Sequence, residues 1–386
     1  MKRIVIAGTA LLAAALFGGA ANAQDTVKVG MIISLSGPFA DTGIQMLNGA
    51  KLYVKEHGDT VAGKKIEIIA KDVGGINPPV AKRLAQELVT RDNVDVLAGF
   101  DLTPNALAAA DVSVEAKKFM VDMNAATAVV ITKSPYMVRT SMTIPQLNQT
   151  LGAWAEKDGV KKAYTMVADF GPGIDAEGAF TKGFTGAGGQ MAGAVRMAVA
   201  NPDFSAYVSR AKDLNPEGIF VMVPGGAMPG AFGKALAERG IDPKKTKVMG
   251  QMEITDEHAL ASMGDVAVGI ITVAHYDYNH KSKANEAFVK AYNAEYKRNP
   301  DFFSVGGYDG MHVIYAALAK TKGKADGDSM IAAAKGLKWE SPRGPMSIDP
   351  ETRDVIQNVY IRKVEKVGGK LVNVEIAKFD NVKSPK

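Results

Sequence analysis

Twice along this chain, short β-branched runs alternate with segments whose apolar residues recur at helical spacing, and that alternation leaves few folds open. Residues 27–33, 66–70, 94–98 and 119–122 read as strands, with residues 43–55, 78–91 and 104–116 between them as helices. The pattern restarts with helices at 146–157, 176–184, 204–213 and 229–239. Strands at 163–168, 191–195, 218–223, 247–250 and 268–274 are interleaved with them. Such a sequence specifies two doubly wound α/β units, each with a mostly parallel sheet. Two long helices follow, 283–297 and 304–321. Residues 355–364 and 371–379 then alternate apolar and polar side chains around Gly368-Gly369, the signature of a β-hairpin. The length of 386 residues suits two domains better than one.

The first 23 residues read as an export leader. Lys2 and Arg3 precede an apolar stretch from Ile4 to about Gly19, and Ala21-Asn22-Ala23 forms a small-residue cleavage site. The expectation is cleavage after Ala23 and a chain free in the periplasm. The formal net charge is +5, and loss of Lys2 and Arg3 leaves +3. Basic residues are not clustered, so a nucleic-acid face is not expected. The chain contains no cysteine, which excludes disulfides, thiolate metal sites, cysteine nucleophiles and lipid attachment through a cysteine at the leader.

Ligands of open α/β sheets bind beyond the carboxyl ends of the strands. The loops to inspect are therefore 34–43, 99–104, 123–127, 169–175, 224–229, 251–256 and 274–280. Thr103-Pro104 opens a helix, with Pro at a position that needs no N–H, and the end of that helix favours an anion. Ala126-Thr127 precedes a second short turn. Phe39, Phe100, Phe170, Met228, Tyr276 and Tyr308 place aromatic or apolar surface in or near these loops, as a small-molecule pocket requires. Gly171-Pro172-Gly173-Ile174-Asp175-Ala176 fits G-x-G-x-x-A, but Pro172 stiffens the loop and Asp175 stands where a pyrophosphate would lie. None of the five histidines belongs to an HExxH motif, and no Gly-x-Ser-x-Gly elbow occurs. No cofactor, metal or catalytic set is expected.

Several short stretches, in order and at matching spacing, resemble the leucine/isoleucine/valine-binding family of type I periplasmic solute-binding proteins. They include Ser36-Gly37-Pro38 with Gly43, Asn48-Gly49-Ala50, Val96-Leu97-Ala98-Gly99, Ala125-Ala126-Thr127, Pro202-Asp203-Phe204-Ser205, Gly225-Gly226 and Tyr308-Asp309. The resemblance implies two lobes joined by crossing hinge strands, closing on a ligand that is handed to an ABC permease of the inner membrane. It implies a first lobe of residues 24–141 and 275–341 and a second of 142–274 and 342–386. It also implies a carboxylate held near Leu102-Thr103 and Ala126-Thr127, with Ser36 and Thr42 in the first loop. In the second lobe it points to Gly173-Ile174, Gly226-Met228 and Glu253, the last as partner of an ammonium group. Thr42 and Gly173-Ile174 fall where relatives carry aromatic residues, and the acid that pairs with an ammonium group aligns with Met252, or with Glu253 if one residue slips; the resemblance therefore implies a hydrophobic or aromatic organic acid, with a branched-chain amino acid as the runner-up. An exported enzyme and a ligand-dependent sensory module are the rival classes.

Overall fold

A computed structural model describes residues 25–199 and 202–385; the leader and its cleavage site lie outside the described residues. The first sheet contains β1 (Thr26–Ile33), β2 (Thr60–Val61), β3 (Lys64–Asp72), β4 (Val96–Gly99), β5 (Phe119–Asp122) and β6 (Met137–Arg139) in the order β2-β3-β1-β4-β5-β6. All its pairings are parallel except β2–β3. Helices α1 (Ala40–His57), α2 (Pro78–Thr90) and α3 (Thr103–Glu115) connect these strands. Residues 140–143 carry the chain across to α4 (Ile144–Lys157), whose first turn is capped by Thr143 Oγ1 accepting from the Gln146 amide at 3.0 Å.

The second sheet begins with β7 (Lys162–Ala168), β8 (Gln190–Met197), β9 (Gly218–Met222), β10 (Lys247–Gln251) and β11 (Ile271–Ala274), connected through α5 (Gly171–Gly186), α6 (Phe204–Asp213), α7 (Met228–Arg239) and α8 (Glu257–Met263). Its strand order, β12-β13-β14-β11-β10-β9-β7-β8 with β15 beside β14, joins a parallel half to an antiparallel half. Between the halves in sequence, α9 (Lys283–Tyr296), α10 (Phe302–Lys320) and α11 (Gly327–Ala334) return to the first lobe. Tyr292 Oη donates to Gln45 Oε1 at 2.8 Å, and Tyr315 Oη donates to the Gly58 carbonyl at 2.8 Å, seating α9 and α10 on α1.

The chain then crosses back into β12 (Lys338–Ser341), β13 (Gly344–Ile348), β14 (Val355–Val367) and β15 (Lys370–Val382). The hairpin falls where alternation and Gly368-Gly369 place it. The lobe boundary expected at 341 is displaced, because β12 pairs antiparallel with β13 and belongs to the second sheet. Its short polar sequence carries no alternation strong enough to mark it as a strand.

The helix after the first strand of each lobe approaches that strand too closely for a side chain. A Cβ on Gly43 would lie 1.9 Å from the Ser34 carbonyl oxygen, and one on Gly173 would lie 1.9 Å from that of Ala168. Glycine at these two points lets the helix start sit directly on the strand end, and so lets both loops reach the same cleft.

Buried arginine–aspartate pairs join the crossings. Arg139 meets Asp354 at 3.0 Å and lies 3.8 Å from Asp122. Arg362 meets Asp277 at 2.7 Å. Arg343 meets Asp309 at 2.8 Å and donates to the carbonyls of Thr140 and Ser141. Asp309 also accepts from Trp339 Nε1 and Ser341 Oγ. Removing one partner leaves a buried charge without its counter-ion, which costs about 3–5 kcal/mol. Arg343→Met is therefore expected to lower the urea midpoint by the equivalent of that loss. A shift worth less than about 1 kcal/mol would show that the pair does not hold the crossing.

Candidate functional site

A cleft of about 640 Å3, counting its open mouth, lies between the carboxyl ends of the two sheets. In the first sheet the strand order reverses direction beside β1 and β4, and in the second beside β7 and β9. These switch points splay neighbouring loops apart and leave a crevice. Phe39 and Thr42 enter it from the loop after β1, residues 101–104 from the loop after β4 and residues 124–126 from the loop after β5. Phe170 and Pro172 follow β7, Pro224 and Gly225 follow β9, and Gln251 ends β10 with Glu253 just beyond it. Met142 comes from the first crossing and Phe303 from the start of α10.

The lobes also touch across the cleft. The Ala128 amide donates to Asp175 Oδ2 at 2.7 Å, Asn299 Nδ2 donates to Glu257 Oε1 at 2.6 Å, and Gly226 backs onto the Pro38 carbonyl.

Of the expected site residues, Phe39, Thr42, Leu102, Thr103, Ala126, Phe170 and Glu253 line the cleft. Thr127 stands just behind them, its hydroxyl 2.9 Å from that of Thr103. The others are corrected by the structure. Phe100 is fully buried in the first-lobe core. It adopts φ +68°, a left-handed conformation unusual for phenylalanine, and the turn it makes carries Asp101 and Leu102 into the cleft. Tyr276 is buried against Phe288, and Tyr308 packs edge-on against Tyr53 while donating to Glu56 Oε2 at 2.8 Å. Both follow the hydrophobic interior of the first lobe rather than the loops. Met228 packs on the second-lobe core, Ile174 is exposed on α5, and Gly173 serves helix–strand contact. Ser36 is exposed and turned toward Asp72 at the rim, and Gly226 makes the cross-cleft contact.

Sequence reasoning missed Asp101, Asn124, Met142, Gln251 and Phe303. Asp101, Asn124 and Gln251 lie inside the loops 99–104, 123–127 and 251–256 and were within reach. Met142 and Phe303 carry no local signal, because each joins the cleft only through the chain crossings.

The cleft has walls of Phe39, Phe170, Met142 and Phe303. Its lining includes two carboxyl groups, Asp101 and Glu253, and no lysine, arginine or histidine. Asp101 is 3% exposed, and its Oδ2 accepts from Thr42 Oγ1 at 2.9 Å and from the Ser34 amide at 3.3 Å. Burial raises its pKa above the ordinary aspartate value, against the opposing pull of Ser34 and Thr42. Glu253, from the other lobe, accepts from Gln251 Nε2 at 3.2 and 3.3 Å. Burial, with some help from Asp256, pushes it up to about 7 although Gln251 and Arg362 oppose the rise. His275 lies outside this cleft. It is fully buried, and burial plus the charges of Arg343 and Arg362 hold it neutral.

A carboxyl whose pKa is raised by folding stabilises the fold at low pH and loses that contribution as pH rises through its folded value. For Glu253→Gln, the gain in melting temperature over the parent is expected to grow between about pH 4.5 and pH 7 and to level off above. The gain corresponds to about 1–3 kcal/mol, discounted for partial exposure. A gain independent of pH in thermal melts would exclude Glu253 as its source.

The model of the periplasmic binding protein family matches residues 26–370. A solute-binding protein of an ABC transporter from Rhodopseudomonas palustris BisB5, solved with 3,4-dihydroxybenzoic acid, is 52% identical. The match covers 94% of this chain and 99% of that one, with a TM-score of 0.89. A second, from Rhodopseudomonas palustris HaA2 with p-hydroxybenzoic acid, is 42% identical, with coverage of 93% and 98% and a TM-score of 0.90. Leu/Ile/Val-binding protein homolog 6 of Brucella abortus (strain 2308) is 42% identical over 100% of this chain and 99% of its own length.

Proposed function

The chain belongs to the periplasmic binding protein family, and from that premise we propose that it is the receptor of an ABC importer for a small aromatic carboxylate. The observation that carries the reading is the cleft's character, with aromatic and apolar walls, the start of α3 at one side and no basic side chain among its lining residues. A carboxylate in such a site must be met by amide and hydroxyl donors. The first turn of α3 with Thr103, and Ala126 with Thr127 beside it, offers them. Phe39, Phe170 and Phe303 take the ring faces and edges. Glu253, pushed up to about 7, is less often an anion than an ordinary glutamate at neutral pH, which lowers its repulsion of an acid.

The two Rhodopseudomonas proteins solved with hydroxylated benzoic acids support the ligand class. Binding without catalysis fits a cleft whose histidines are elsewhere. The ligand biases an open–closed equilibrium by contacting both lobes, and the closed form is what a permease would recognise. Release into the periplasm after cleavage at Ala23 completes the reading.

Thermal melts of ligand-stripped protein test it. Binding raises apparent stability by RT ln(1 + [L]/Kd), about 2.7 kcal/mol at a hundredfold excess over Kd. Benzoate or 4-hydroxybenzoate is expected to raise the melting temperature, while leucine and valine are not. The reverse result would move the protein to amino-acid transport, with Glu253 as the ammonium partner. Phe170→Ala is expected to weaken binding of the effective acid by tenfold to about a hundredfold, since a buried aromatic contact is worth roughly 1.5–3 kcal/mol. Tyr308→Phe, outside the cleft, is expected to leave binding unchanged in the same titration.

A further inference from the structure

A ligand that carries a carboxylate enters a cleft with no basic side chain in its lining. The charged groups there are both acids, Asp101 from the first lobe and Glu253 from the second. More acids stand behind Glu253. Asp256, the N-cap of α8, opposes its ionisation, and Asp41 of the first lobe acts on Asp256 in turn. Asp301, the N-cap of α10, is under the influence of both Asp41 and Asp256. Glu257, next on α8, accepts from Asn299 of the first lobe. The basic groups nearby are engaged or outside. Arg362 of β14 acts on Glu253 but is paired with Asp277 at 2.7 Å. Arg298 donates to Asp41 at 3.0 Å, and His258 is exposed beside Asp256.

An anion added to such a site has no counter-ion, which is unfavourable out of water. Where like charges share a dry site, one acid takes a proton and becomes neutral. The two lining acids differ in how well their ionised forms are held. Asp101 Oδ2 accepts from the Thr42 hydroxyl at 2.9 Å and the Ser34 amide at 3.3 Å, and the Ser34 side chain also favours the ionised form. Glu253 has its own backbone amide and the Gln251 side chain, the latter at 3.2 and 3.3 Å. Burial has already pushed Glu253 up to about 7, where a nearby anion tips it into the neutral form. Once protonated, it gains an O–H donor where it was only an acceptor.

We propose that Glu253 is the proton-accepting residue of the cleft, so that binding of an aromatic carboxylate is coupled to uptake of one proton from solution. The inference rests on the aromatic-carboxylate reading above and adds how the site balances the ligand's charge. The complex then carries the same net charge as the free protein, because the proton cancels the charge of the ligand. Ligand and proton favour each other's binding, so affinity falls as pH rises through neutrality. An amino-acid ligand demands the opposite sign. Glu253 would have to be ionised to pair with an ammonium group, and affinity would rise over the same range.

Calorimetric titration of ligand-stripped protein with benzoate and 4-hydroxybenzoate, at pH 7.5 in phosphate and again in Tris, tests the proposal. The two buffers differ widely in their heat of ionisation, so the difference in binding enthalpy gives the number of protons taken up. Uptake of about 0.5–1 proton per ligand is expected, with Kd rising about fivefold to tenfold between pH 6 and pH 8. In Glu253→Gln the uptake is expected to fall below about 0.2 proton, and Kd to change less than about twofold over that range. Binding with equal enthalpy in both buffers overturns the proposal and leaves the aromatic-carboxylate reading in place. No binding by either acid overturns both. Uptake that persists in Glu253→Gln puts the proton on Asp101 or on the ligand and overturns the role of Glu253. The parent protein alone supplies the proton number, so the test stands even where the variant does not fold.

Discussion

The geometry of the cleft depends on the buried arginines where the chain crosses between lobes. Arg139, Arg343 and Arg362 are each paired with an aspartate out of water, and each draws on residues from another crossing or the opposite lobe. Arg343 illustrates the arrangement. It leaves the last crossing, pairs with Asp309 on α10 and binds the Thr140 and Ser141 carbonyls of the first crossing. Buried ion pairs contribute little net stability, because desolvation offsets their attraction. They strongly disfavour arrangements in which one member is left alone, and here that ties separate strands into one hinge. His275 sits among these arginines as a neutral ring, since their charges and its burial oppose protonation.

With the crossings held, the two sheets present their carboxyl ends to each other. Each sheet has its own switch point, so the cleft collects loops and strand ends from both. Gly43 and Gly173 occupy equivalent places at the starts of α1 and α5, and both bring a helix onto a strand end at a distance no side chain tolerates. The cross-cleft hydrogen bonds from Ala128 to Asp175 and from Asn299 to Glu257 end on α5 and α8 near their starts, at exposed positions and not in a shared core. Such contacts break at low cost, which suits lobes that must part to admit and release a ligand.

The parts legible in sequence were those governed by local periodicity. The main strand–helix alternation held in both lobes, although β2, β6, α8 and α11 were not read, and the C-terminal hairpin turned where Gly368-Gly369 stands. The short β12 and β13 were not read, because polar strands take their identity from the neighbour they pair with. Within the site, loop position pointed to Phe39, Thr103 and Phe170 and the family resemblance to Leu102 and Glu253, and all five line the cleft. It failed for Phe100 and Tyr276, whose rings turn back into the core, and loop proximity cannot tell an inward ring from an outward one.

By itself the sequence determined two α/β lobes, a cleft at their strand ends and the start of α3 facing it, because hydrophobic period, helix starts and chain order are local properties. Only the tertiary structure decided what that cleft presents to a ligand. Met142 and Phe303 reach it through crossings that bring residues from distant parts of the chain together. Asp101 became a buried acceptor because Phe100 turns through a left-handed conformation and Thr42 and Ser34 take one of its two oxygens. Burial and hydrogen-bond satisfaction are properties of the assembled surroundings, and no spacing along the chain encodes them.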